Sequence, residues 1–137
     1  MIDQTDIQIL QLLRTNSRMQ WQEIGDIVHL TGQAVKNRIT KLNELEILEG
    51  YTVKINNEKL GLSVTAFITV FMKTTDHIGF CKFIKLNDLV YEAHRISGEG
   101  CYLLTVFTHD QKELLDFLDE ILIYGNYKVN LSMNKIK

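Results

Sequence analysis

Apolar residues in the first fifty positions recur at helical spacing. Ile7, Ile9, Leu10 and Leu13 predict a helix from Asp3 to about Arg14, with Asp3 as N-cap and Asp6 three residues on in a capping-box arrangement. A second helix is predicted over Trp21 to Val28, with Trp21, Ile24 and Val28 on one face and Gly25 where a small residue admits a neighbouring helix. Thr31 then caps a third helix, whose apolar positions Val35, Ile39 and Leu42 fall at i, i+4 and i+7. This helix is expected to run on through Leu45 and Leu48 to a turn at Gly50. Two helices separated by three or four residues, the second carrying the basic face, have the form of a helix-turn-helix.

Beyond Gly50 the periodicity changes. Tyr51 to Ile55 alternates and reads as a short strand, and Asn56 to Gly61 then breaks regular structure and is expected to be a linker. From Ser63 to Lys73 β-branched and aromatic residues dominate, which predicts a strand. Asp76 can cap a following helix that buries Phe80, Phe83 and Ile84. Val90 to Ile96 and Cys101 to Thr108 read as strands joined by the turn Ser97-Gly98-Glu99-Gly100. Asp110 with Glu113 repeats the capping box, Leu114, Leu118, Ile121 and Leu122 line the last helix, and Tyr127 to Ile136 alternates as a final strand.

The expected fold class is therefore α+β: an N-terminal (winged) helix-turn-helix over residues 1–50, a linker strand and hinge over 51–62, and a ferredoxin-like βαββαβ module over 63–137.

Composition adds constraints. The chain has 137 residues, 45% hydrophobic and 23% charged, the ordinary globular range. No apolar run reaches the ~18 residues of a membrane span, and the start lacks a secretory signal, so the expected compartment is the cytoplasm with no membrane partner. Cys81 and Cys101 form no metal-spaced cluster and are expected to be free thiols, with no metal site and no cofactor. The formal net charge of −2 means that any nucleic-acid site is local rather than spread over the surface.

The third helix supplies such a locality. Between Ile27 and Asn43 there is no Asp or Glu, while Lys36, Arg38 and Lys41 all fall there. With Val35, Ile39 and Leu42 facing inward, Gln33, Lys36, Asn37, Thr40 and Lys41 point away from the core. Gln and Asn can bond bidentately to adenine, Lys can reach guanine, and longer cations can neutralise phosphates. The candidate contacts to double-stranded DNA are Thr31, Gln33, Lys36, Asn37, Arg38, Thr40 and Lys41. Arg38 sits at the edge of the core stripe, where an intramolecular carboxylate competes with a phosphate for it.

A module of about 75 residues, with helices on one sheet face only, leaves the other face needing a cover. A homodimer supplies one, and it also pairs two recognition helices.

These residues together resemble the Lrp/AsnC (feast/famine) regulators across nearly the whole length. The stretches that carry the resemblance are Asp3 to Leu10, Arg18 to Val28, Arg38 to Leu42, Ile47 to Tyr51, Lys59 to Gly61 with Ala66-Phe67, and Ser97 to Leu104. The resemblance implies a transcriptional regulator, dimeric through its C-terminal modules, often assembled into tetramers or octamers, with amino acids as effectors in many members. Carried over, the effector contacts are Gly98, Glu99, Gly100 and Cys101. Many amino-acid-responsive members place an Asp where this chain has Cys101, and a thiol cannot neutralise an α-ammonium group. The glycines are equally compatible with a plain hairpin turn, and a ligand-independent DNA-wrapping protein is the alternative. A further alternative is enzymatic: sirohaem decarboxylases share the architecture, and His77, His94, Arg95 and His109 are the residues that bear on it. No catalytic constellation is expected.

Overall fold

The computed structural model describes residues 1–137, and the chain divides into two compact units, Met1–Lys54 and Ile55–Lys137. No helix is long and apolar enough to cross a membrane.

The first unit is three helices, α1 (Gln4–Thr15), α2 (Trp21–Val28) and α3 (Gly32–Glu44). Each starts where its local chemistry dictates. At α1 the Asp3 carboxylate accepts from the Asp6 N–H at 2.9 Å while Asp6 accepts from the Asp3 N–H at 3.0 Å, so two orphan donors are satisfied at once. At α3 the Thr31 hydroxyl accepts from the Ala34 N–H at 3.1 Å. Ile9, Leu13, Ile24, Val35 and Ile39 form one buried cluster, onto which Leu12, Met19, Val28, Leu30 and Leu48 pack.

Three expectations fail in this unit. Trp21 does not join the core: it stands at the first turn of α2 and is 46% exposed. The third helix ends at Glu44 rather than continuing through Leu48, because Glu46 turns into the left-handed region (φ 56°) and the N–H groups of Ile47 and Leu48 both return to the Leu42 carbonyl. Tyr51 to Ile55 forms no strand. Its alternation is real, but no neighbouring strand pairs with it, and Tyr51, Val53 and Ile55 are all exposed.

The second unit opens with a single helical turn, α4 (Asn57–Leu60), where an irregular linker was expected; Asn56 caps it by accepting from the Lys59 N–H at 3.0 Å. The order then runs β1 (Val64–Met72), α5 (His77–Leu86), β2 (Val90–Arg95), β3 (Tyr102–Thr108), α6 (Gln111–Ile121) and β4 (Gly125–Leu131). The sheet is antiparallel throughout with strand order β2-β3-β1-β4, the ferredoxin-like arrangement. Its register sets Ala66 opposite Val106, Ile68 opposite Leu104 and Val70 opposite Tyr102, a row of side chains buried beneath the helices.

Asp76 and Asp110 cap α5 and α6 as anticipated, accepting from the Gly79 and Glu113 N–H groups at 2.9 and 2.8 Å. The Glu113 carboxylate, however, reaches the His109 N–H rather than that of Asp110. On α6 the fourth buried position is Phe117, and Leu122 lies exposed beyond the helix end. Phe83 is only partly buried, stacked between Phe117 and Tyr124 at centroid distances of 6.0 and 5.5 Å. The last strand ends at Leu131, five residues before the expected limit at Ile136.

Candidate nucleic-acid interface and effector turn

The α2–α3 connection positions the reading helix. His29 ends α2 in the left-handed conformation (φ 61°), and the Leu30 N–H returns to the Gly25 carbonyl at 2.9 Å. Any Cβ on Gly25 would collide with the Leu30 carbonyl oxygen, so the glycine admits the turn backbone rather than a neighbouring helix. With Val35, Ile39 and Leu42 buried, the rotation of α3 is settled.

Gln33, Lys36, Asn37 and Thr40 consequently lie exposed on one side of α3. Gln33 Nε2 donates to Asn37 Oδ1 at 3.0 Å, which aligns two amide side chains one turn apart. Thr40 turns its hydroxyl back onto the Lys36 carbonyl, to which it donates at 3.0 Å. Lys36 Nζ lies 5.3 Å from the centroid of the Trp21 ring, so the exposed indole holds the ammonium by a cation–π contact.

Arg38 and Lys41 are placed differently from Lys36. Arg38 Nη1 bonds both Asp3 oxygens at 2.7 Å and Asp6 Oδ1 at 3.2 Å. Lys41 Nζ bonds Asp6 Oδ2 at 2.8 Å and the Met1 carbonyl at 3.1 Å. Asp6 itself is fully buried. The two cations and two carboxylates therefore neutralise one another and tie α3 to the start of α1. For Arg38 this realises the carboxylate alternative. For Lys41 it corrects the expectation of a side chain free to meet a phosphate.

Titration follows from the pairing. The hydrogen bond from Arg38, then that from the Asp6 N–H, lower the Asp3 carboxyl from 3.8 to about 2. For Asp6, burial pushes the carboxyl up, but the bonds from Lys41, the Asp3 N–H and Arg38 outweigh it and the net shift is downward. Asp3 likewise raises Arg38. Lys36 is the one cation on α3 outside any ion pair.

In the second unit the Ser97–Gly100 turn joins β2 to β3. Gly98 and Gly100 have φ of 86° and 87°, which alone accounts for both glycines, and a Cβ on Gly100 would also strike the Thr69 side chain. The Cys101 N–H donates to the Val70 carbonyl at 2.7 Å and its side chain packs against the core. Glu99 is exposed and is the only carboxylate of the turn. Val129 sits opposite Ile68, also against the core.

The histidines do not converge. His77 Nδ1 pairs with the Tyr102 hydroxyl at 2.7 Å, His94 with Glu92 at 3.1 Å and His109 with Glu113 at 3.1 Å. The Arg95 guanidinium stands 5.9 Å from the Tyr102 ring centroid.

Sequence reasoning missed the Trp21–Lys36 contact and the carboxylate partners of Arg38 and Lys41. Asp3 and Asp6 were legible as caps, yet nothing in the local pattern ties them to a helix more than thirty residues on.

Comparison with known proteins gives a consistent result. Residues 2–43 match the AsnC-type helix-turn-helix domain, and residues 65–137 match the Lrp/AsnC ligand binding domain. The HTH-type transcriptional regulator LrpB of Bacillus subtilis is 46% identical over 136 residues, covering 99% of this chain and 91% of that protein. The solved structure of Bacillus subtilis LrpC superposes with a TM-score of 0.95 at 26% identity, covering 100% of this chain and 98% of that one. A transcriptional regulator of Neisseria meningitidis, solved as a complex with L-Met, superposes with a TM-score of 0.93 at 26% identity, covering 100% and 93%.

Proposed function

Because this chain belongs to the Lrp/AsnC family of DNA-binding transcriptional regulators, we propose that it reads double-stranded DNA with the outer face of α3, using Gln33 and Asn37 on base edges and Lys36 on a phosphate. Thr31 and Thr40 flank this face, while Arg38 and Lys41 act by holding α3 in place against α1. The single observation that carries the reading is the exposed face of α3 from Gln33 to Thr40, free of acids, with its aligned amide pair and one unpaired, ring-held cation.

One free cation per α3 is weak electrostatic purchase on DNA, so the regulator works as a dimer or larger assembly. The sheet face opposite the helices supports this, because it leaves Phe67, Leu103 and Tyr91 exposed. It acts in the cytoplasm. An amino-acid effector, as held by the Neisseria regulator, meets this chain at Gly98, Glu99, Gly100 and Cys101, where Glu99 takes the role of ammonium partner that Cys101 cannot fill.

Selection of duplexes from a random pool tests the reading. Gln33→Ala and Asn37→Ala are expected to relax the preferred sequence at separate positions, each by about 1–3 kcal/mol of discrimination, while Lys36→Ala weakens all sequences alike. A preferred sequence left unchanged by both amide variants would overturn the assignment of α3. For the turn, an amino-acid panel screened by thermal shift, repeated with Glu99→Gln, is expected to show a stabilising amino acid whose effect the variant abolishes.

A further inference from the structure

The second unit contains a cleft of about 770 Å3 between α5 and β2, separate from the glycine turn and within the size range of small-molecule sites. It exists because the helices cover β1 and β3 but leave β2 exposed along nearly its whole length. The floor is apolar and aromatic: Phe80, Ile84, Tyr102 and Leu104 are all buried there. The rim is cationic, with Lys82 and Lys85 on α5 facing Arg95 on β2. No Asp or Glu lines the cleft, and none of these three cations has an ion-pair partner within the chain. His94, also on the wall, is already held by Glu92 at 3.1 Å.

The Arg95 guanidinium is poised over the Tyr102 ring at 5.9 Å from its centroid, so one charged fork overlies the aromatic floor. The Tyr102 hydroxyl is engaged by His77 Nδ1 at 2.7 Å, and burial, followed by the Cys81 thiol, pushes the phenol up, so it presents no negative charge. Three unpaired cations around an apolar floor complement an anion with an apolar tail. They do not complement an amino acid, whose α-ammonium would enter the same positive field without a carboxylate to accept it.

We propose that the α5–β2 cleft is a binding site for a carboxylate bearing an aromatic or branched apolar tail and lacking an ammonium group, the chemistry of an α-oxo acid. Arg95 takes the carboxylate, Lys82 and Lys85 supply the field, and Phe80, Ile84 and Leu104 receive the tail.

Calorimetric titration of the full chain with phenylpyruvate, and with phenylalanine as the shape-matched control, tests the assignment. Phenylpyruvate is expected to bind saturably and phenylalanine at least about tenfold more weakly. Arg95→Ala is expected to weaken phenylpyruvate by about tenfold and Arg95→Lys by less, in keeping with the loss of one charged hydrogen-bonding partner. Glu99→Gln leaves the titration unchanged, which separates this cleft from the turn. DNA binding by the unliganded Arg95→Ala protein stays at the parental level, so failure here is distinguishable from failure of the α3 assignment. Phenylalanine binding as tightly as phenylpyruvate, no saturable phenylpyruvate binding, or titrations indifferent to both Arg95→Ala and Lys82→Ala would each overturn the proposal.

Discussion

The two units use positive charge in opposite ways. In the first, Arg38 and Lys41 stand on the basic helix yet are bound to Asp3 and the buried Asp6, leaving Lys36 as the cation turned outward. In the second, Lys82, Lys85 and Arg95 lie around a cleft with no carboxylate among its lining residues. The acid-free run from Ile27 to Asn43, with its three cations, makes the first unit the more obvious anion binder along the sequence. Pairing reverses part of that judgement: a cation spent on a buried carboxylate is a structural tie, and an unpaired one is available for recognition.

The largest effect that can break this contrast is removal of Asp6. Asp6→Ala leaves Lys41 without its carboxylate and Arg38 with Asp3 alone, and because both cations keep access to solvent the expected loss is about 1.5–3 kcal/mol, the worth of a hydrogen bond to a charged group. Chemical denaturation followed by the single tryptophan, Trp21, should report that loss in the first unit. A destabilisation no larger than that of a surface substitution would mean that Lys41 and Arg38 are not structural ties.

Acid provides the next test. Asp3 and Asp6 both have folded pKa values below the ordinary one, so the stability they confer is complete above the unfolded value near 3.8 and is lost as pH falls toward about 2. The Trp21 signal is therefore expected to show the first unit weakening over that window. Asp3→Asn should flatten the response, because the neutral amide has no proton to gain there.

Much of this architecture was legible because it is local. Asp3, Thr31, Asp76 and Asp110 announce their helices by bonding N–H groups within three residues, and the buried row Ala66, Ile68, Val70 follows the two-residue period of a strand. What was illegible depends on partners distant in sequence. Tyr51 to Ile55 alternates like a strand, but alternation does not create a neighbour to pair with. Trp21 fits the α2 stripe, yet the stripe's edge cannot tell rim from core, and only the proximity of Lys36 shows why an indole stands in solvent. The face of α3 was readable from the positions of Val35, Ile39 and Leu42, whereas the loss of Lys41 from that face rests on a contact with Asp6 across thirty-five residues. The α5–β2 cleft was likewise hidden, since Lys82 and Arg95 meet around it only through the fold.

The smallest expected effect concerns Trp21. Trp21→Ala frees the Lys36 ammonium and should weaken DNA binding by about 0.5–1 kcal/mol, the worth of an exposed cation–π contact, whereas Trp21→Phe retains most of it. Equal losses for the two variants would point to a role for the indole other than holding Lys36.

The central claim is that Lys36 meets DNA while Lys41 serves the fold, and the salt dependence of duplex binding tests it most directly. For a dimer, Lys36→Ala is predicted to reduce the slope of log K against log salt by about 2, roughly one per α3. Lys41→Ala, measured where the protein remains folded, is predicted to leave that slope unchanged. A Lys41→Ala slope reduced as much as that of Lys36→Ala would contradict the account.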